Sequence, residues 1–156
     1  MNIPNGTSGA WEVSEFTVSE KDAEFHNMRA AWQPGGRTIK PGTYKQITRH
    51  GQVIMSNTPA EISDHRQFIR QAVQSGGHIL INGLGLGVAL AEILKSDTVQ
   101  TVTVIEVSPD VIALVGPTYT ADPRVTIIEA DAFTWKPPKG TRYSTIWHDI
   151  WDNICG

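Results

Sequence analysis

Apolar positions along the chain follow two regimes, and the change falls near Gly76-Gly77. Upstream, Trp11, Val13, Phe16 and Val18 are spaced among polar neighbours in the manner of a short strand over Trp11–Val18. Ser19 stands where a helix cap is needed and Asp22 falls in the first turn. The pattern carries that helix to about Trp32, before Pro34-Gly35-Gly36 breaks it. Tyr44–Ile47 and Gln52–Met55 flank Arg49-His50-Gly51 and predict a β-hairpin. Thr58-Pro59-Ala60-Glu61 predicts a helix start, with Thr58 as the cap, Pro59 in the first helical position and Glu61 closing a capping box. Ile62, Phe68, Ile69, Ala72 and Val73 form the apolar face of that helix, which ends at Ser75. Met1–Ala10 is rich in Asn, Gly, Ser and Thr and reads as a flexible leader.

Downstream, strands and helices alternate. His78–Ile81 is a short apolar strand, Leu86–Leu94 a helix with Leu86, Ala89, Leu90, Ile93 and Leu94 facing inward, and Thr101–Ile105 a β-branched strand. Ser108-Pro109 opens a further helix; Arg124–Ile128 and Tyr143–His148 are the third and fourth strands. This order implies right-handed crossovers and a parallel sheet. The expected fold class is therefore α/β, a Rossmann-like parallel sheet preceded by a small N-terminal β-hairpin and helix portion. Residues 1–76 form the N-terminal portion and 77–156 the Rossmann-like portion, in one compact domain of 156 residues.

Composition narrows the classes without changing that picture. The chain is 40% hydrophobic and 19% charged with a formal net charge of −3, which gives no strong nucleic-acid signal. No apolar run is long enough to span a bilayer. The five histidines are scattered without metal-ligand spacing, so no metal site is read. Cys155 stands alone, which fits a reducing, cytoplasmic setting.

The chemistry concentrates on the carboxyl ends of the predicted parallel strands. Asn82-Gly83-Leu84-Gly85-Leu86-Gly87 follows the first strand and opens a helix, where glycines permit a sharp turn and close approach of a ligand to the backbone. A dinucleotide fingerprint would need its third glycine at position 88, which is Val88; the spacing of Gly83, Gly85 and Gly87 instead favours the adenosyl-sulfonium class over NAD. Glu106 ends the second strand, where a carboxylate can accept from both ribose hydroxyls. After the third strand, Asp131 can accept from an adenine amino group, with Ala132 and Phe133 lining the base. Asn82, Gly83, Gly85, Gly87, Glu106, Asp131, Ala132 and Phe133 are thus the candidate cofactor-binding residues.

These residues resemble the class I S-adenosylmethionine-dependent methyltransferase fold, and within it the spermidine synthase (aminopropyltransferase) branch, from about Tyr44 to Asp152. The glycine turn, Glu106 and Asp131-Ala132-Phe133 look like that family's three nucleoside-binding motifs. Tyr143-Ser144-Thr145-Ile146-Trp147-His148-Asp149-Ile150-Trp151-Asp152 is similar to its fourth-strand segment. By that resemblance Asp149 falls on the catalytic acid/base position and Asp152 on a companion amine-binding position. The synthases carry an Asp in the glycine turn, where this chain has Leu84 and Leu86, and their Tyr-His-Glu is replaced by Ser63-Asp64-His65. The full class I fold has seven strands, whereas this chain reads as truncated after the fourth. The fourth-strand edge would then be open to pairing, and a homo-oligomer through that edge is expected.

The resemblance implies S-adenosylmethionine as cofactor, or its decarboxylated form or methylthioadenosine, and methyl or aminopropyl transfer to a small-molecule acceptor. A non-catalytic nucleoside-binding module and an S-adenosylmethionine-consuming lyase or hydrolase remain as alternatives. No Asn- or Asp-Pro-Pro-Tyr motif follows the fourth strand, which disfavours methylation of DNA bases. His148 should point away from Asp149 because strand residues alternate faces. Trp147 and Trp151 read as interface residues beside an open edge, and Tyr44 and His65 as structural.

Overall fold

A computed structural model describes residues 1–150, and Trp151, Asp152 and Cys155 lie outside the described residues. Two four-stranded sheets make up the molecule. The first is antiparallel, with β1 (Gly6–Ser8), β2 (Trp11–Val18), β3 (Gly42–Arg49) and β4 (Gln52–Ser56) in chain order. Helix α1 (Glu20–Ala31) follows β2, with the Ser19 hydroxyl accepting the Asp22 N–H as its cap. The second sheet is parallel, in the order β7 (Val125–Glu129), β6 (Val99–Glu106), β5 (Gly77–Asn82), β8 (Thr145–His148). Helices α4 (Val88–Ile93) and α5 (Pro109–Thr120) make the β5–β6 and β6–β7 crossovers. The α/β expectation holds, and β8 lies at the sheet edge among the described residues.

The two sheets share one core. Val13, Ile47 and Met55 from the antiparallel sheet pack in the same buried cluster as Ile79, Ile81, Leu86, Leu90, Val102 and Val104. This burial supplies the main driving force for holding the two portions together. No helix among the described residues is long and apolar enough to cross a membrane.

Four local expectations differ from the structure. Met1–Ala10 is not a free leader: Ile3 is 1% exposed, Gly6–Ser8 pairs with β2, and the Ser8 hydroxyl donates to Asp110 at 2.7 Å. Buried apolar surface at Ile3 outweighs the polar composition around it. The helix expected over residues 58–75 is two helices, α2 (Pro59–Asp64) and α3 (Arg66–Ser75), which meet at His65. There the His65 N–H bonds back to the Ile62 carbonyl and its ring to the Glu61 carbonyl, tightening the turn. Glu61 does not close a capping box on Thr58; its carboxylate accepts instead from the Ser56 N–H and hydroxyl. The helix after the glycine turn starts at Val88, because Leu86 is part of the turn and wholly buried.

Truncating Ile47 to Ala, at 0% exposure, should cost about 2–5 kcal/mol in urea unfolding. Trp32→Ala, at 86% exposure, should stay within about 0.5 kcal/mol. Equal losses would contradict the packing described.

Candidate active site

The glycine turn has its own mechanical reasons. Gly83, Gly85 and Gly87 all have positive φ, at 101°, 52° and 70°. A Cβ on Gly83 would run into the Asp149 carbonyl, one on Gly85 would meet Met55 Cε at 2.8 Å, and one on Gly87 the Tyr119 ring at 2.5 Å. The close neighbours are thus protein atoms. Tyr119 also donates its hydroxyl to the carbonyls of Leu86 at 2.6 Å and Gly87 at 3.0 Å, and burial pushes its phenol above the usual range. Met55 Sδ accepts the Leu86 N–H.

Across from the turn, Glu106 is buried and its carboxylate is engaged by backbone. Oε1 accepts the Leu84 N–H and Oε2 the Ser108 N–H, both at 2.9 Å. An ionised carboxylate offers about four acceptor directions, so each oxygen keeps capacity for one further donor. Asp131 follows β7, and its Oδ1 accepts the Phe133 N–H at 2.9 Å, which sets the Ala132-Phe133 turn.

These groups meet at a cavity of about 430 Å³ on the carboxyl edge of the parallel strands, within the size range of small-molecule sites. Gly83 and Gly85 line one side, Glu106, Val107 and Ser108 the next, Asp131, Ala132 and Phe133 a third, and Asp149 the β8 end. Phe133 and Val107 are apolar and exposed at 76% and 66%. Two candidates fall elsewhere. The Asn82 side chain turns to His148 Nδ1 at 2.8 Å, and Gly87 lies beside Tyr119 away from this cavity.

The antiparallel sheet supplies a wall that the sequence did not single out. Trp11, Arg49, Ile54 and Met55 line the cavity, with the Arg49 guanidinium over the Trp11 ring at 5.7 Å. The alternation around Trp11 was the available signal, but its cavity-facing position follows from the β2–β3 register, Trp11 opposite Arg49.

At the β8 end, the Asp149 N–H donates to the Asn82 carbonyl at 2.7 Å, which fixes the residue against β5. Its Oδ2 lies 3.4 Å from His65 Nε2. The Asp149 carboxylate raises the His65 pKa above its ordinary 6.5 against the opposing effect of burial, with help from the Glu61 carbonyl and the Asp64 charge. The His148 ring is taken up by the Asn82 side chain, whereas Trp147 and Asp149 both meet His65. Trp147, expected at an interface, packs within the chain: it stacks on Phe68 with ring centroids 4.9 Å apart and meets the His65 ring edge-on. Tyr44 bonds the Lys40 carbonyl and does not line the cavity.

No family model matches the chain. It is 32% identical over 99 residues to polyamine aminopropyltransferase 1 of Streptomyces coelicolor, a match covering 56% of this chain and 18% of that protein. The structure superposes on spermidine synthase from Thermotoga maritima with a TM-score of 0.50 at 20% identity, over 83% of this chain and 41% of that one. The fold is spermidine synthase-like. A second solved spermidine synthase, in complex with the transition-state analogue AdoDATO, gives a TM-score of 0.49 at 20% identity, over 82% of this chain and 39% of that one. The chain thus spans about a fifth of the curated relative and about two fifths of the solved synthases. Within this spermidine synthase-like fold, Leu84 and Leu86 point into the core, so their side chains offer the cavity no charge.

Gly83→Ala should destabilise the chain by more than about 1 kcal/mol in urea unfolding, since it meets both positive φ and the Asp149 carbonyl. Gly6→Ala, whose Cβ would make an ordinary contact with Leu114 at 3.5 Å, should stay within about 0.5 kcal/mol. A neutral Gly83→Ala would show that the turn is not held as described.

Proposed function

We propose that the cavity binds an adenosyl sulfonium or thioether, and that the chain transfers a methyl or aminopropyl group from S-adenosylmethionine or its decarboxylated form to a small acceptor. The observation that carries this reading is the meeting of Gly83, Gly85, Glu106, Asp131-Ala132-Phe133 and Asp149 on one cavity. In this reading the spare acceptor capacity of Glu106 takes the ribose hydroxyls. Asp131 takes the adenine amino group, and Ala132 and Phe133 cover the base. The match to a polyamine aminopropyltransferase, together with the spermidine synthase-like fold, supports aminopropyl transfer as the first activity to assay.

The chemistry asks different things of the protein in the two cases. Methyl transfer from a sulfonium has a neutral leaving group, so alignment and exclusion of water supply most of the acceleration. Aminopropyl transfer needs a neutral attacking amine. Asp149 lines the β8 end of the cavity, and in this reading it accepts that proton. Asp152, which lies outside the described residues, is by the family resemblance the companion for a cationic acceptor.

Calorimetric titration of the full chain with S-adenosylmethionine, its decarboxylated form, methylthioadenosine and NAD tests the reading. At least one adenosyl thioether or sulfonium should bind and NAD should not. A folded chain that binds none of the adenosyl ligands would overturn it.

A further inference from the structure

His65 sits where two acceptors converge on one imidazole. Its Nδ1 is 2.8 Å from the Glu61 carbonyl oxygen, and its Nε2 is 3.4 Å from Asp149 Oδ2. A carbonyl only accepts, so Nδ1 carries a proton. The neutral ring would then point the lone pair of Nε2 at a carboxylate oxygen, which is repulsive unless a second proton lies between them. That proton sits on Nε2 or on Asp149; in either placement the pair holds one proton more than a neutral histidine and an ionised aspartate. Both groups are largely shielded, with side chains 8% and 12% exposed, so the interaction is weakly screened.

The geometry also gives the pair an inside and an outside. Asp149 lines the cavity, whereas His65 does not. The imidazole stands behind the carboxylate, held edge-on by Trp147. Other charged groups near the ring come from its own segment. Asp64 is paired with Arg37 at 2.8 Å, the Glu61 carboxylate is turned to Ser56, and Arg66 is exposed at the start of α3. From β8, the His148 ring is bonded to Asn82, and Phe68 on α3 brings no charge. Asp149 is thus the only charged side chain placed against Nε2 among the described residues.

We propose that His65 and Asp149 act as one acid/base unit, with His65 as a positioning residue that stores, through Asp149, the proton released by an acceptor amine. The proposal rests on the transfer reading given above. With the shared proton absent, an acceptor ammonium gives one proton to Asp149, which passes it to His65 Nε2. The freed amine nitrogen then forms the new C–N bond as the C–S bond of the sulfonium breaks. The electron pair of that bond stays on sulfur, leaving a neutral thioether and a substituted ammonium product. His65 stands at the break between α2 and α3, and through it the N-terminal portion meets Asp149 at the β8 end of the cavity.

The pair is protonated below its folded pKa, which lies above 6.5, and the proton-accepting form appears only as pH rises through it. Nitrogen-15 spectra of the ligand-free full chain should show Nδ1 protonated throughout and Nε2 titrating above 6.5, and Asp149→Asn should bring that value down. In parallel, transfer from S-adenosylmethionine and its decarboxylated form to 1,4-diaminobutane is followed against pH. His65→Gln should lower kcat by about 10²-fold and remove the limb that rises through the pair's pKa. Nε2 titrating at or below 6.5 in the wild type, an unmoved value in Asp149→Asn, or a retained limb in His65→Gln would overturn the proposal. Absence of transfer with both donors would sink the transfer reading and the relay role with it, while the spectra decide the shared proton independently.

Discussion

The buried carboxylate of Glu106 joins the two turns from which the cavity is built. One oxygen holds the Leu84 N–H of the glycine turn and the other the Ser108 N–H that precedes α5. Hydrogen bonds to a charged acceptor contribute about 1.5–3 kcal/mol each, more than a neutral pair. Glu106 is placed there by the β5–β6 register, Asn82 opposite Ile105, which brings the end of β6 beside the start of the glycine turn. Loss of this anchor would free both rims together.

Around that anchor the turn is filled by side chains from distant segments. Tyr119 of α5 supports Leu86 and Gly87, Met55 of β4 reaches Leu86 and Gly85, and the Asp149 carbonyl packs on Gly83. The glycines therefore serve the packing of the turn first. What faces the cavity is Gly83 and Gly85, with polar groups brought in from the ends of β6, β7 and β8. The antiparallel sheet completes the enclosure through Trp11 and Arg49.

Much of this was readable from local signals. The β-branched run Thr101–Ile105, the Ser19 cap and the strand–helix alternation after Gly77 are short-range patterns, and the structure contains each of them. Asp131 and Glu106 lie on one cavity because parallel strands present their carboxyl ends together. What the sequence hid depends on contacts far along the chain. Ile3 is buried although its neighbours look like a leader, and Trp147 stacks on Phe68 from a distant helix. Asn82 looks like part of the turn, yet its side chain is taken by His148 across the sheet. His65 could not be paired with Asp149 from spacing alone, since all four strands of the parallel sheet lie between them along the chain.

A crystal structure of the full chain with methylthioadenosine bears most directly on the proposed nucleoside site at the carboxyl edge of the parallel sheet. The ribose hydroxyls are expected on the Glu106 carboxylate, the adenine between Asp131 and Phe133, and the thioether directed toward Asp149. A nucleoside seated away from this edge, or with its ribose remote from Glu106, would contradict it.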